Sequence, residues 1–183
     1  MKVLGISGSL RRDSHNTELL RAAATLLPSG TEWVLHDGLR AIPAFDEDEE
    51  HLAPPAVVAL RDEIAAADVV LFSTPEYNSS IPGHLKNALD WVSRPIETNS
   101  LRNKPVAVIG ASTGMFGAVW AQADLRKVLA SIGARVVDAE LPVPSAHELL
   151  GDPEAVKESG LHEQLDGILA QLLAEVRAVE TAA

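Results

Sequence analysis

Short continuous apolar runs alternate along this chain with segments whose apolar residues recur every three or four positions. The runs are Lys2–Ile6, Trp33–Leu35, Val69–Phe72 and Val106–Ile109; a fifth, Arg135–Val137, continues toward Leu141. Runs of this kind suit parallel strands covered on both faces. Between them, Leu19, Leu20, Ala23, Leu26 and Leu27 form a helical stripe, Val57, Leu60 and Ile64 a second, and Leu85, Ala88, Leu89 and Val92 a third. Leu125, Val128, Leu129 and Ile132 make a fourth, and Leu161, Leu165, Ile168, Leu169, Leu172, Leu173 and Val176 a long amphipathic fifth. The order βαβαβαβαβα predicts an α/β fold: a doubly wound five-stranded parallel sheet with helices on both faces, because right-handed crossovers permit little else. Pro142–Gly160 is predicted as loop, and the final few residues as frayed. With 183 residues, and ~150 per domain as a guide, one domain spanning 1–183 is expected.

Such sheets bind ligands at the carboxyl ends of their strands, beside the point where strand order reverses. With the common order 2-1-3-4-5, strands 1, 3 and 4 lie together at the centre. The segments that follow them are rich in small and hydroxyl-bearing residues: 7–17, 73–83 and 110–117. The first suits a phosphate. Gly8 allows close backbone approach, Ser9, Ser14 and Thr17 carry hydroxyls, Arg11 offers a planar guanidinium, and the helix beginning there has free N–H groups. The plainer reading is a helix cap by Ser14 or Asn16 with two solvated arginines. It is not a Walker A loop, for it lacks Gly-Lys-Ser/Thr, and it does not match G-x-G-x-x-G. The second and third segments suit a flat heteroaromatic ring. Backbone amides around Tyr77, Asn78 and Thr113–Gly114 can meet its heteroatoms, and Tyr77 can offer its ring, unless Tyr77 is ordinary core.

Composition narrows the partners. Fifteen Lys and Arg against 26 Asp and Glu leave a formal charge of −11, which speaks against nucleic acid as a partner. The absence of cysteine excludes disulfides, thiolate metal sites and a cysteine nucleophile, and fits a reducing cytoplasm. No apolar run approaches the ~18 residues that span a bilayer, so no membrane association is expected. The six histidines show no metal-ligand spacing, and no metal is expected. The run Asp46–Glu50 is predicted as an acidic surface loop, solvated or serving to guide a partner.

Two segments resemble the NAD(P)H-dependent FMN reductase family, which includes quinone, chromate and azo-dye reductases. One is Gly8-Ser9-Leu10-Arg11 with Ser14 and Asn16. The other is Pro75-Glu76-Tyr77-Asn78-x-Ser80-x-Pro82-Gly83-x-Leu85-Lys86-Asn87-Ala88-Leu89-Asp90-Trp91. Gly110-Ala111-Ser112-x-Gly114-x-x-Gly117 with Gln122 and Leu125-Arg126 extends the likeness, which covers residues 2 to about 145. It implies a flavodoxin-like fold and an oxidoreductase that binds FMN and takes hydride from NADPH or NADH. A small-molecule electron acceptor and a homodimer or homotetramer are also implied. Carried over by position, Ser9, Arg11, Ser14, Asn16 and Thr17 would hold the phosphate. Pro75, Glu76, Tyr77 and Asn78 would line the flavin and ribityl chain, with Ser112 and Gly114 completing the pocket. No catalytic side chain is expected, because the cofactor carries the chemistry.

Three other readings share these residues. Gly110-Ala111-Ser112-Thr113-Gly114 also matches the G-x-S-x-G of a serine hydrolase, with Asp138 and His147 in the required order. A flavodoxin-type electron carrier is compatible with the acidic charge, although the phosphate loop here carries Arg11. A phosphoacceptor receiver domain needs an Asp at a central strand end, where strand 3 has Phe72-Ser73. Finally, the stripe assigned to the third helix leaves Trp91 near its outer face beside Asn87 and Arg94. That position suits a subunit interface; packing of Trp91 within its own domain is the alternative.

Overall fold

In the computed structural model, residues 1–150, 156 and 159–182 are described, with side chains for all of these except 177–182. The strands are β1 (Lys2–Ser7), β2 (Glu32–His36), β3 (Val69–Thr74), β4 (Pro105–Ala111), β5 (Arg135–Val136) and β6 (Pro142–Val143). The helices are α1 (His15–Thr25), α2 (Pro55–Ala66), α3 (Gly83–Val92), α4 (Val119–Ile132), a single turn α5 (Ala146–Leu149) and α6 (Leu161–Ala182). Every strand pair is parallel, and the order is β2-β1-β3-β4-β5 with β6 also on β4, as the alternating pattern predicted except for the sixth strand.

Alternation within the strands divides the core between two faces. Leu4, Ile6, Val70, Phe72, Val106 and Val108 point toward α2, α3 and α4. Val3, Val69, Leu71, Ala107 and Ile109 point toward α1 and α6, where Leu161, Leu165, Leu169 and Leu172 are buried. Trp33 lies across the second face of β1 so closely that a Cβ on Gly5 would sit 2.5 Å from its ring. Among the described residues no helix is long and apolar enough to cross a membrane.

Three expectations change. The fifth strand does not run on toward Leu141. After Val137, whose N–H still meets the Val106 carbonyl at 2.8 Å, the chain leaves the ladder and returns as β6 beside Gly110 and Ala111. Arg126 pairs with Asp138 and faces Glu140 at 3.8 Å, so α4 holds residues 138–140 off the sheet; the chain rejoins it at Leu141, whose N–H goes to the buried Gln122 at 3.0 Å and whose carbonyl accepts the Gly110 N–H at 3.1 Å. The expected loop Pro142–Gly160 thus contains β6 and α5; of the rest, 151–155, 157 and 158 lie outside the described residues, as does Ala183 at the end expected to fray. The acidic run is a short 3-10 segment, Glu47–Leu52, tied to the chain just past α3 by Arg94 on Glu50 at 3.0 Å.

Trp91 is the third correction: it is buried, not on an exposed face. The segment before the acidic run folds over α3, and the indole N–H donates to the Pro43 carbonyl at 3.0 Å while the Phe45 ring meets it edge-on at 5.1 Å. Asn87 fastens the same segment, donating to the Pro43 carbonyl and accepting from the Phe45 N–H. A stripe drawn from one helix alone could not show this cover.

Candidate functional site

The β1–α1 loop starts under tight constraint. The Gly8 N–H donates to the Ser73 carbonyl at 2.7 Å, and a Cβ on Gly8 would lie 2.8 Å from Leu85 Cδ2. Gly8 therefore serves packing against α3 as well as the openness of the loop. His84 Nε2 faces the Gly8 carbonyl at 2.9 Å and fixes the loop from the other side. Burial pushes the His84 pKa below its ordinary 6.5; the Gly8 bond opposes that shift and Arg40 adds to it. The imidazole is thus the neutral tautomer that donates from Nε2.

Ser14 caps α1, accepting the Thr17 N–H on its hydroxyl at 3.3 Å. The N–H groups of His15 and Asn16 have no partner among the described residues and remain at the positive end of the helix. The Asn16 side chain does different work from that expected. Its amide donates to the Ala111 carbonyl at 2.9 Å, and its oxygen accepts from the Ala111 N–H at 3.0 Å and the Ser73 hydroxyl at 2.8 Å. It is buried, with its oxygen accepting twice and one amide N–H donated, so the side chain is committed to joining the loops and its backbone N–H faces the helix end. The Thr17 hydroxyl likewise turns to Ser7 at 2.9 Å. Arg11 folds back, its Nε donating to the Asp13 carbonyl at 2.9 Å, and its guanidinium is exposed.

The β3–α3 segment is built around a two-residue reverse turn. Tyr77 and Ser80 exchange both backbone hydrogen bonds, at 3.0 and 3.2 Å, and Asn78 and Ser79 both adopt positive φ, 54° and 60°. Positive φ at both central residues is the arrangement of a type I′ turn, which Asn tolerates well. Tyr77 is 52% exposed, which excludes the core reading. Glu76 has a role the sequence did not disclose. Its carboxylate accepts the N–H groups of Trp120 and Ala121, at 3.0 and 3.1 Å, and so caps the amino end of α4 from another loop. The β4–α4 loop is closed by Ser112, whose hydroxyl accepts from the Gly114 N–H at 3.0 Å.

The three loops enclose a cavity of about 120 Å³. Of the residues expected there, Ser9, Arg11, Ser14, Asn16, Pro75, Glu76, Tyr77 and Ser112 line it, joined by His15, Ala111 and Thr113. Thr17, Asn78 and Gly114 do not line it; Thr17 faces an adjoining cavity instead. The hydrolase constellation does not assemble. The Ser112 hydroxyl is bonded to Gly114, Asp138 to Arg126, and exposed His147 faces Glu148 at 3.6 Å.

Residues 1–148 match the family model described as NADPH-dependent FMN reductase. The chain belongs to this family. It is 51% identical over 130 residues to an NAD(P)H-dependent FMN reductase of Pseudomonas aeruginosa, covering 70% of this chain and 69% of that one. A 2-hydroxy-1,4-benzoquinone reductase of a Burkholderia species is 44% identical over 130 residues, 71% of this chain and 70% of the relative. Among solved structures, FerB of Paracoccus denitrificans, a flavoenzyme NAD(P)H:(acceptor) oxidoreductase, superposes with a TM-score of 0.82 at 35% identity, covering 95% of this chain and 98% of that chain. The fold is accordingly flavodoxin-like, and the protein is an oxidoreductase that uses FMN with NAD(P)H as electron donor.

Two outcomes follow for the loop clamps. Asn16→Ala leaves the Ala111 N–H and carbonyl buried and unpaired, at ~1–3 kcal/mol for each such group; denaturant unfolding is expected to show a loss of at least ~2 kcal/mol. For His84, a lowered pKa in the folded state means that the unfolded chain takes up the proton first as pH falls. Stability from this group is therefore lost on going below about pH 6.5. Urea midpoints at pH 7.5 and 5.5 are expected to fall further for the wild type than for His84→Gln, and parallel falls would contradict this assignment.

Proposed function

We propose that the three-loop cavity is the FMN site, and that the chain is one flavodoxin-like domain spanning 1–183. The observation that carries this reading is the convergence of unpartnered donors on the cavity: the His15 and Asn16 N–H groups, with the Ser9 hydroxyl and Arg11 beside them. Such a set fits a phosphate dianion at the amino end of a helix. Ser14 contributes by presenting that helix end, and Asn16 by fixing it to β3 and β4. At the other end of the cavity, Pro75, Glu76, Tyr77 and Ser112 would border the ring and the ribityl chain. Thr17, Asn78 and Gly114 would act indirectly, by shaping the loops. The Ser112 hydroxyl already accepts from Gly114, so its own proton is free to be donated to a ring heteroatom.

When bound, FMN supplies a two-electron carrier that takes hydride from the nicotinamide and passes electrons to the acceptor. The chain's own task would be to hold the group through backbone donors and the Ser112 hydroxyl, with no side chain needed as acid or base. The exposed ring of Tyr77, which lines the cavity, suits a flat acceptor. A quinone is the acceptor we favour, on the strength of the Burkholderia relative; azo dyes, metal oxyanions and free flavin are within reach of the same chemistry. The family resemblance also supports a homodimer or homotetramer, and a chain without cysteine fits work in the cytoplasm.

Purified protein is expected to be yellow or to become so with FMN. Arg11→Ala is expected to weaken FMN about tenfold or more, from the loss of a charge-assisted bond of ~1.5–3 kcal/mol. Riboflavin, which lacks the phosphate, is expected to lose far less; equal losses would move Arg11 out of the phosphate site. Light scattering at micromolar concentration is expected to give twice or four times the chain mass, and a monomer would remove the oligomer from this reading.

A further inference from the structure

The turn that carries Tyr77 has little burial to hold it in place. Pro75 before it and Ile81 and Pro82 after it are buried, but Tyr77, Asn78 and Ser79 are all exposed. Positive φ at both Asn78 and Ser79 is a conformation that residues with a Cβ keep only when surrounding contacts impose it. On the outer side of the turn a second cavity, of about 370 Å³, lies between Ser80 and Ile81 of this segment and Asp124 and Val128 of α4. Close packing of the turn against α4 therefore does not supply those contacts.

Two carboxylates supply them instead. Before the turn, Glu76 accepts the Trp120 and Ala121 N–H groups of α4. After it, the Ser80 hydroxyl donates to Asp124 Oδ2 at 2.8 Å. Asp124 lies one helical turn beyond Trp120, so both ties meet the same stretch of α4. They bracket the turn, whose ends are closed on each other by the Tyr77–Ser80 backbone pair. Among the described residues Asp124 pairs with no cation; Lys86, which lines the same cavity, is held by Asp90 at 2.6 Å. The Asp124 carboxylate is thus given over to Ser80, and a hydroxyl bonded to a carboxylate makes the stronger kind of hydrogen bond. Tyr77 lines the first cavity, so whatever fixes the turn fixes that ring.

We propose that Asp124 is a positioning residue of this oxidoreductase: through Ser80 it holds the Tyr77 ring at the first cavity and thereby sets how well a quinone stacks there. The inference rests on FMN occupying that cavity. Asp124 does not line the first cavity, so it acts on a ligand there only through the turn. Glu76 does line it, and removing Glu76 would change lining and turn together; Asp124 is the tie that can be cut with the lining intact. A turn released from α4 on one side spends part of its time away from the cavity. The apparent affinity for a flat acceptor then falls in proportion to the time lost. The phosphate end, built on the β1–α1 loop, is outside the reach of that release.

The test compares Asp124→Ala, Asp124→Asn and Ser80→Ala as FMN-loaded protein. Both alanine variants are expected to raise the KM for benzoquinone about threefold or more, as for a turn held in place about a third of the time, with kcat changed less. They are also expected to shift the visible absorption of bound FMN while leaving FMN affinity and the urea midpoint unchanged. Asp124→Asn keeps an oxygen that accepts from Ser80 and is expected to stay near the wild-type KM. In a Tyr77→Ala background, Asp124→Ala is expected to add no further rise, because the ring it positions is gone. An unmoved KM in both alanine variants would overturn the inference. So would a KM for Asp124→Asn as high as for Asp124→Ala, which would give the effect to charge, or a full further rise in the Tyr77→Ala background. Parallel losses of FMN affinity and urea midpoint would make Asp124 a structural residue and overturn it as well. If Asp124→Ala does not fold, Ser80→Ala and Asp124→Asn decide by the same readings. A wild type that binds no FMN defeats the flavin reading itself; FMN bound normally, with quinone reduction untouched in Ser80→Ala, defeats this inference alone.

Discussion

The carboxamide of Asn16 holds three chain segments where the rest of the crevice needs them. It is carried on the first turn of α1, yet its bonds end on Ser73 at the end of β3 and on both backbone groups of Ala111 at the end of β4. Parallel strands splay as a sheet twists, and nothing in the ladder itself dictates how far their following loops stand apart. Here one buried side chain sets that spacing. Because the same residue belongs to the amino end of α1, the helix end and the two strand ends are placed as one unit. Gln122 repeats the device one strand further on, donating to the Gly117 carbonyl and accepting the Leu141 N–H, so that the loops after β4 and before β6 are joined from α4.

The local signals in the sequence were sufficient for the first four strands and for their order. Continuous apolar runs such as Val69–Phe72 announce strands covered on both sides, and helical stripes such as Leu125 with Leu129 turn toward one face as their spacing requires. The three convergent loops were legible for the same reason: strand order fixes which loops meet. What stayed hidden depends on contacts between segments distant in sequence. Glu76 reaches α4 some forty-four positions away, and His84 reaches Gly8 across seventy-six. No spacing rule links such residues. Trp91 failed for the same cause, since the cover over it comes from Pro43 and Phe45, outside its own helix. The split of the fifth strand was hidden likewise, because Val137, Ala139 and Leu141 alternate with Asp138 and Glu140 as an edge strand would, and the pairing of those two carboxylates with Arg126 comes from outside the strand.

The Asn16 amide and the serine and threonine hydroxyls that read from sequence as ligand groups are partly recruited to structure. Ser14 caps, Asn16 clamps, Thr17 bonds to Ser7, and Ser112 closes its own turn. A small polar residue near a ligand site has two employments open to it, and backbone groups that would otherwise be buried unpaired claim many of them. This leaves the backbone N–H groups as the principal free donors of the first cavity. A site made of backbone donors constrains sequence through loop shape, and glycine at position 8, where α3 leaves no room for a side chain, is the visible sign of that constraint.

The cap that Glu76 places on α4 gives the crevice a direction. Two helices begin beside it, and each begins with a concentration of partial positive charge. At α4 the carboxylate of Glu76 already neutralises that charge; at α1 the His15 and Asn16 N–H groups keep it. The crevice is therefore electrically lopsided, attractive to an anion at one end and nearly indifferent at the other. A long ligand with one charged terminus and one uncharged terminus meets two unequal ends and settles one way round. If the cavity is the FMN site as proposed, orientation would be set by which helix end has been left without a carboxylate.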